Sequence, residues 1–269
     1  MIISTDPVHI VLLSALVLMA LIQAWYYLFY YRRAAATPAA GDIPDNNLPA
    51  LSVVICARNE APNLRAFLPS VLEQDYPSFE VVVVNDCSED ETRDLLEEMQ
   101  LRYPRLKVST IIKDPGFAHA KKLAMLIGIK ASANDLLVFT DADCRPVSDR
   151  WLRTVASSYS DGADIILGYG GYMAEKGWLN SYVRYETMFI AMQYSGMTLA
   201  GFPYMGVGRN LSYRRSFFFA KGGFGPHNHI MSGDDDLFVN RTATASNCRL
   251  MLSPESFTRS VSPASAEEW

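Results

Sequence analysis

The chain has 269 residues, 49% of them hydrophobic, and a formal net charge of −5. That length supports one sizeable domain with an appendage. The acidic balance provides no global basic field, which argues against nucleic acid as a partner, and an anionic substrate would need local cations or a metal.

The first predicted element is a membrane span. Val8 to Tyr31 (VHIVLLSALVLMALIQAWYYLFYY) carries one His, one Gln and no formal charge. It is long enough to cross a bilayer as a helix. Trp25, Tyr26, Tyr27, Tyr30 and Tyr31 form an aromatic belt at its end, and Arg32 and Arg33 follow. A signal peptide carries its positive charges before the apolar run, so this order predicts a retained anchor with the C-terminal bulk in the cytoplasm. Ala34 to Pro49, rich in Ala, Pro, Asp and Asn, reads as a linker. The domain then covers 50–269.

Within it a regular alternation begins. Leu51–Cys56 (LSVVIC) is a β-branched apolar run, and Leu64, Phe67, Leu68, Val71 and Leu72 mark a helix face, with Pro69 predicting a kink or a late start. Glu80–Asn85 (EVVVVN) is the second strand. Ser88 and Glu91 suggest a capping box before a stripe of Leu95, Leu96 and Met99. Leu106–Ile112 is a third strand, Ala120–Ala131 a helix and Leu136–Thr140 a fourth strand. Continuous apolar strands alternating with helices predict an α/β fold, a mostly parallel sheet covered on both faces, which binds ligands at the carboxyl ends of its strands. The first strand is followed by ARNEAPN (Ala57–Asn63), which has no glycine, so a dinucleotide fold is disfavoured. Trp178–Leu199 is Met- and aromatic-rich and reads as a helix used for core or membrane-facing packing. Ala200–Arg215 reads as a Gly-rich turn leading into a strand, and Gly222–Arg241 as a loop followed by a helix starting at its acidic cluster.

The four cysteines, Cys56, Cys87, Cys144 and Cys248, form no C-x-x-C pair and read as small buried thiols of a reducing compartment. Carboxylates are the more informative groups. Asp86, Asp141 and Asp143 all fall at predicted strand ends. Asp141-Ala-Asp143 can offer hard oxygen ligands to Mg²⁺ or Mn²⁺, or can simply cap a turn. Lys121 and Lys122, near a helix start, can meet phosphate or remain a solvated pair. The run Asp234, Asp235 and Asp236 suits a helix N-terminus, and equally a general base. His227 and His229 read as surface groups rather than metal ligands.

Taken together these stretches resemble the family-2 inverting glycosyltransferases of the GT-A fold, in a membrane-anchored bacterial-type member. The resemblance covers about 48–241. It rests on SVVICARNE (Ser52–Glu60), VVVVNDCSEDET (Val81–Thr92), AKKLAMLIGI (Ala120–Ile129), DLLVFTDADC (Asp135–Cys144), GVGRNLSYRR (Gly206–Arg215) and SGDDDLF (Ser232–Phe238), in that order. It implies a nucleotide-sugar donor, with a UDP-sugar expected, a divalent metal, and a saccharide, lipid-linked or polysaccharide acceptor at the cell membrane. It places Ala57, Arg58 and Glu60 along the nucleoside and Asp86 on the base or ribose. Lys121 and Lys122 fall on the phosphate side, Asp141 on the donor and Asp143 on the metal. Asp234 becomes the general base with Asp235 its rival, and Gly208, Arg209, Asn210 and Asp236 fall in the acceptor region. Asn85 and Cys87 stand where the family has Asp and Gly, and Gly233 stands in place of the Glu before the base. Membrane-anchored members continue beyond this point with a Gln/Arg/Trp motif and further membrane helices, so a C-terminal part is expected to be missing from this sequence. Two other readings stay open: a sugar nucleotidyltransferase, which the lack of glycine after the first strand disfavours, and a non-catalytic, membrane-tethered nucleotide-sugar-binding subunit.

Overall fold

The computed structural model describes residues 6–35, 48–112, 121–159, 162–225, 230, 233, 235–263 and 265–267. The described elements alternate as the apolar pattern predicts. Helix α1 (Pro7–Tyr26) passes through a π turn (Tyr27–Tyr31) into the short α2 (Arg32–Ala35). The domain follows as β1 (Leu51–Ala57), α3 (Ala61–Leu72), β2 (Phe79–Asp86), α4 (Thr92–Arg102), β3 (Leu106–Ile111), α5 (Lys121–Ala131) and β4 (Leu136–Phe139). After these come β5 (Cys144–Pro146), α6 (Trp151–Ser157), β6 (Ile165–Gly168), β7 (Gly170–Tyr172), α7 (Trp178–Leu199), β8 (Leu211–Arg214), α8 (Arg215–Ala220), α9 (Asp236–Thr242), β9 (Cys248–Met251) and β10 (Thr258–Ser260).

Among the described residues the main sheet has the order β3-β2-β1-β4-β8-β6-β9. β1 pairs in parallel with β2 and β4, and β2 with β3. β8 runs antiparallel between β4 and β6, while β6 and β9 are parallel. The ends of β1, β2 and β4 therefore open on one edge.

Period-two alternation sorts the core into two layers. Val53, Ile55, Val81 and Val83 pack with Leu64, Leu68, Leu96 and Trp151 of α3, α4 and α6. Val54, Leu137 and Phe139 pack on the other face with Ile129 of α5, Tyr194 of α7 and Phe238 of α9. A small sheet, β5-β10-β7, lies beside the site edge.

Two local expectations are corrected. Ser88 and Glu91 form no capping box: α4 begins at Thr92, and Asp90 Oδ1 accepts from Thr92 N at 3.0 Å. Ser88 Oγ instead accepts from Asn59 N at 2.9 Å. Pro69 does not delay α3, which starts at Ala61 and carries Pro69 inside its last turn. In the expected linker, Ala36 to Asn47 lie outside the described residues.

Pro7 to Ala34 is a continuous helical stretch long and apolar enough to cross a membrane by length and composition, and its large apolar side chains are exposed. Its foot packs on α7. Phe189 meets the rings of Tyr27 and Tyr31 at 6.2 and 5.9 Å, and Arg33 Nη1 donates to Leu199 O at 3.4 Å.

Candidate donor site at the strand edge

The loops after β1 and β2 are built as one unit. Neither has glycine at its tightest point: Asn59 (φ 57°) and Cys87 (φ 56°) adopt left-handed backbone. The strain is held by reciprocal bonds. Glu89 N donates to Asn59 Oδ1 at 2.8 Å, Glu60 N to Thr92 Oγ1 at 2.9 Å and Ala61 N to Asp90 Oδ2 at 3.2 Å. Asn85 Oδ1 accepts from Ser88 N at 3.3 Å.

This unit forms one side of a cavity of about 420 Å³, lined by Ala57, Arg58, Glu60, Asp86, Lys121, Asp141 and Asp143, with Cys56 and Ala142. Seven residues singled out along 87 positions of sequence are thereby gathered at one edge. Asp86 is 8% exposed, and its carboxylate accepts no hydrogen bond from the described residues. A nearly buried carboxylate in a cavity wall without an internal donor is suited to a ligand's N–H or O–H. Lys121 Nζ lies 3.0 Å from Asp141 Oδ1, and both groups are partly exposed, so the pair orients more than it stabilises.

Asp143 is held from behind. Ser260 Oγ of β10 donates to Oδ2, and Cys144 Sγ donates to Oδ1 at 3.5 Å. Ligand atoms of Asp141, Asp143 and Cys144 lie within 4.8 Å of one another. Burial first, then Asp143 and Asp141, pushes the Cys144 thiol well above its ordinary range. Its S–H donates to Asp143 in this arrangement, and the carboxylate oxygens of Asp141 and Asp143 are ligands that suit a hard divalent ion. Glu60 also senses the acid cluster. Burial raises its pKa, its hydrogen bond from Asn63 opposes the rise, and Asp143, Asp141 and Asp90 add to it.

The remaining candidates stand elsewhere. Lys122 is buried and gives Nζ to Ile230 O at 2.8 Å, turned from the cavity that Lys121 enters. Asn210, 1% exposed, is a core strut: Oδ1 accepts from Trp151 Nε1 at 3.1 Å, and Nδ2 donates to Tyr169 O and Ser256 O. That engagement leaves its amide directed into the core rather than to an acceptor. Asp235 binds Gly208 N and Asp236 N with its two oxygens, both at 2.7 Å, tying the Gly206–Asn210 loop to the start of α9. Asp236 Oδ1 accepts from Leu237 N at 2.8 Å. The backbone oxygen of Arg209 accepts from Thr140 Oγ1 at 3.1 Å and Thr258 Oγ1 at 2.9 Å, which holds this loop beside the Asp141–Asp143 turn. The Arg209 guanidinium stacks on Tyr172 at 4.5 Å. Asp234, His227 and His229 lie outside the described residues. Ser260 was missed by sequence reasoning, because a serine some 117 positions from Asp143 gives no local signal. Cys56 was read only as a buried thiol, and it borders the cavity.

A mostly parallel sheet with an acidic cavity at the carboxyl ends of β1, β2 and β4 places the chain among α/β proteins that bind ligands at that edge. The family model described as glycosyl transferase family 2 matches residues 52–218, and the chain belongs to that family. It is 29% identical over 210 residues to glycosyltransferase AglE of Haloferax volcanii, covering 74% of this chain and 63% of that protein. It is 30% identical over 182 residues to the probable glycosyltransferase YdaM of Bacillus subtilis, covering 66% of this chain and 43% of that protein. The chain thus spans only part of either relative. Among solved structures it resembles the Pyrobaculum calidifontis mannosyltransferase PcManGT in complex with GDP-Man and Mn²⁺ (TM-score 0.65, 21% identity, 92% of this chain and 68% of that one). It also resembles Staphylococcus aureus TarS 1–349 in complex with UDP-GlcNAc (TM-score 0.57, 21% identity, 81% and 60%). Both likenesses show the GT-A fold expected from the sequence.

Proposed function

We propose that this protein is an inverting glycosyltransferase that moves a sugar from a nucleotide-diphospho-sugar, a UDP-sugar in our reading, to an acceptor hydroxyl in cell-envelope glycan, glycolipid or polysaccharide synthesis. The observation that carries the reading is the single cavity that joins Asp86, Arg58, Lys121, Asp141 and Asp143 in a family-2 chain. Asp86 takes a donor hydroxyl or base N–H. Lys121, oriented by Asp141, faces the diphosphate. Asp143, with Asp141 beside it, would hold Mg²⁺ or Mn²⁺, and such a cation would supply positive charge to a departing diphosphate.

In the reaction the acceptor oxygen forms a bond to the anomeric carbon as the bond from that carbon to the diphosphate breaks, and the hydroxyl proton passes to Asp234. A positioned base contributes about 10²- to 10⁴-fold in rate. Asp235, with both oxygens bound to backbone amides, serves to fix the Gly206–Asn210 loop to the start of α9. The apolar N-terminal helix anchors the domain to a membrane, with the domain on the cytoplasmic side.

The test uses the full chain in detergent micelles with a panel of UDP- and GDP-sugars, reading metal-dependent release of nucleoside diphosphate and the thermal midpoint. Asp143→Asn is expected to lose both turnover and the stabilisation by UDP with Mn²⁺. Asp234→Asn is expected to keep that stabilisation and lose transfer. Full transfer by Asp234→Asn would refute the base, and an unchanged midpoint with every nucleotide would refute the donor site.

A further inference from the structure

A second cavity, of about 660 Å³, lies outside the donor site, between the foot of the N-terminal helix, α7 and the segment leading into β10. Its wall is mainly apolar and aromatic, with Tyr31, Met188, Ala191 and Phe257 among its residues. Among the described residues the charged groups in that wall are Arg184 and Arg259, and no acidic residue joins them. Neither guanidinium pairs with a carboxylate among the described residues, and Arg259 lies over the rings of Tyr169 and Phe257, at 5.3 and 5.8 Å. Ser195, 1% exposed, also faces the cavity, and its Oγ has no hydrogen-bond partner among the described residues.

Position gives the cavity its meaning. Tyr31 and Ala34 belong to the half-buried foot of the helix whose large apolar side chains are exposed from Val8 to Phe29. Helix α7 continues that surface: Trp178, Tyr182, Tyr185 and Met188, spaced along one face, are all exposed. On the inner side, β10 separates this cavity from the donor site. Neighbouring residues of a strand point to opposite faces, and Arg259 lines the second cavity while Ser260 holds Asp143.

We propose that this cavity binds the phosphate head and first apolar segment of the membrane lipid that carries the acceptor. This inference rests on the glycosyltransferase reading above. Arg184 and Arg259 take the phosphate, the buried hydroxyl of Ser195 donates to a head-group oxygen, and Met188, Ala191 and Phe257 cover the start of the chain. The lipid enters at the helix foot, and a sugar hydroxyl beyond its phosphate extends past β10 toward the donor cavity.

The experiment titrates the full chain in micelles with farnesyl phosphate, farnesol and inorganic phosphate. Saturable binding of farnesyl phosphate alone is expected. Replacing Arg184 and Arg259 together by Gln should weaken it about tenfold or more, since charge-assisted hydrogen bonds are lost. Arg259→Lys should retain most of it, and Ala191→Phe, which fills the cavity, should abolish it. Stabilisation by nucleotide with Mn²⁺, read on each variant, reports the donor site separately, so a failed donor site and a failed lipid site give different results. Equal binding of farnesol, undiminished binding by Ala191→Phe, or equal displacement by phosphatidylglycerol would overturn the proposal.

Discussion

Both oxygens of Asp143 accept hydrogen bonds from the protein, Oδ2 from Ser260 and Oδ1 from Cys144, and this fixes how the carboxylate faces the cavity. Groups that orient a metal-binding carboxylate matter to affinity nearly as much as the ligand itself. Ser260→Ala is therefore expected to weaken Mn²⁺-dependent nucleotide binding about 10- to 100-fold while the protein stays folded. A titration by calorimetry decides it, and unchanged affinity would rule out the orienting role. Glu60 illustrates the opposite relation between site and stability. Its pKa is raised, by burial before the neighbouring aspartates, so the native state binds its proton more tightly than the unfolded chain does. Below the unfolded value both states are protonated and there is no cost. As pH rises through the unfolded and then the folded value, ionisation disfavours the native state, and the cost is complete above both. Glu60→Gln should therefore raise the thermal midpoint at pH 7.5 in EDTA, with the gain fading near pH 4. A midpoint at or below that of the unsubstituted protein at pH 7.5 would contradict this account.

At the scale of elements, one exposed carboxylate organises the two helix starts beside the site. Asp90 bonds Thr92 N at the start of α4 and Ala61 N at the start of α3. Burial, the largest single influence on it, raises its pKa, but the hydrogen bonds from the Thr92 side chain, Thr92 N and Ala61 N together outweigh that and lower it. Removing the side chain leaves backbone donors at both starts without their acceptor, so Asp90→Ala should cost about 1 to 2 kcal/mol at neutral pH. Since the folded pKa is depressed, that difference is present above the unfolded value and should shrink as pH falls through the folded one. Urea unfolding at pH 7 and pH 3 measures both, and a constant difference would show that the capping is not electrostatic. The same region marks the limit of reading by pattern. The strands were legible because β-branched runs such as Glu80–Asn85 bury both faces, and Asp86, Asp141 and Asp143 fell at one edge because parallel strands share a direction. The clasp between Asn59, Ser88 and Asp90 was not legible. Ser88 three residues before Glu91 satisfies the local capping pattern, yet the loop from β1 competes for its hydroxyl.

Across the whole molecule, the apolar helix and the domain were both legible, the first from an uncharged run and the second from alternation, but their docking was not. It depends on Gly196 of α7, a residue that reads as neutral in a Met- and aromatic-rich helix. A Cβ at Gly196 would stand 2.6 Å from Tyr30 O and 2.7 Å from its carbonyl carbon, so the two helices meet backbone to backbone there. The rings of Tyr27, Tyr31 and Phe189 close over one side of this contact, and Arg33 reaches the last carbonyl of α7 on the other. Side chains can turn aside to admit an extra methyl, but the carbonyl of a π turn cannot move without shifting its helix. Gly196→Val is thus expected to pry the foot of the N-terminal helix from α7, with an overpacking cost of about 1 to 3 kcal/mol. The sheet and the donor cavity lie on other elements and should be left intact. Hydrogen exchange should accelerate in the last turns of α7 and around Tyr27–Tyr31, while β1, β2 and β4 keep their protection. Because Tyr31 also lines the second cavity, farnesyl phosphate binding should fall in the same variant while nucleotide with Mn²⁺ still stabilises it. Unaltered exchange at both segments would mean that the two helices are not docked as described. Uniform loss of protection would mean that the contact supports the whole domain rather than the docking of the N-terminal helix alone.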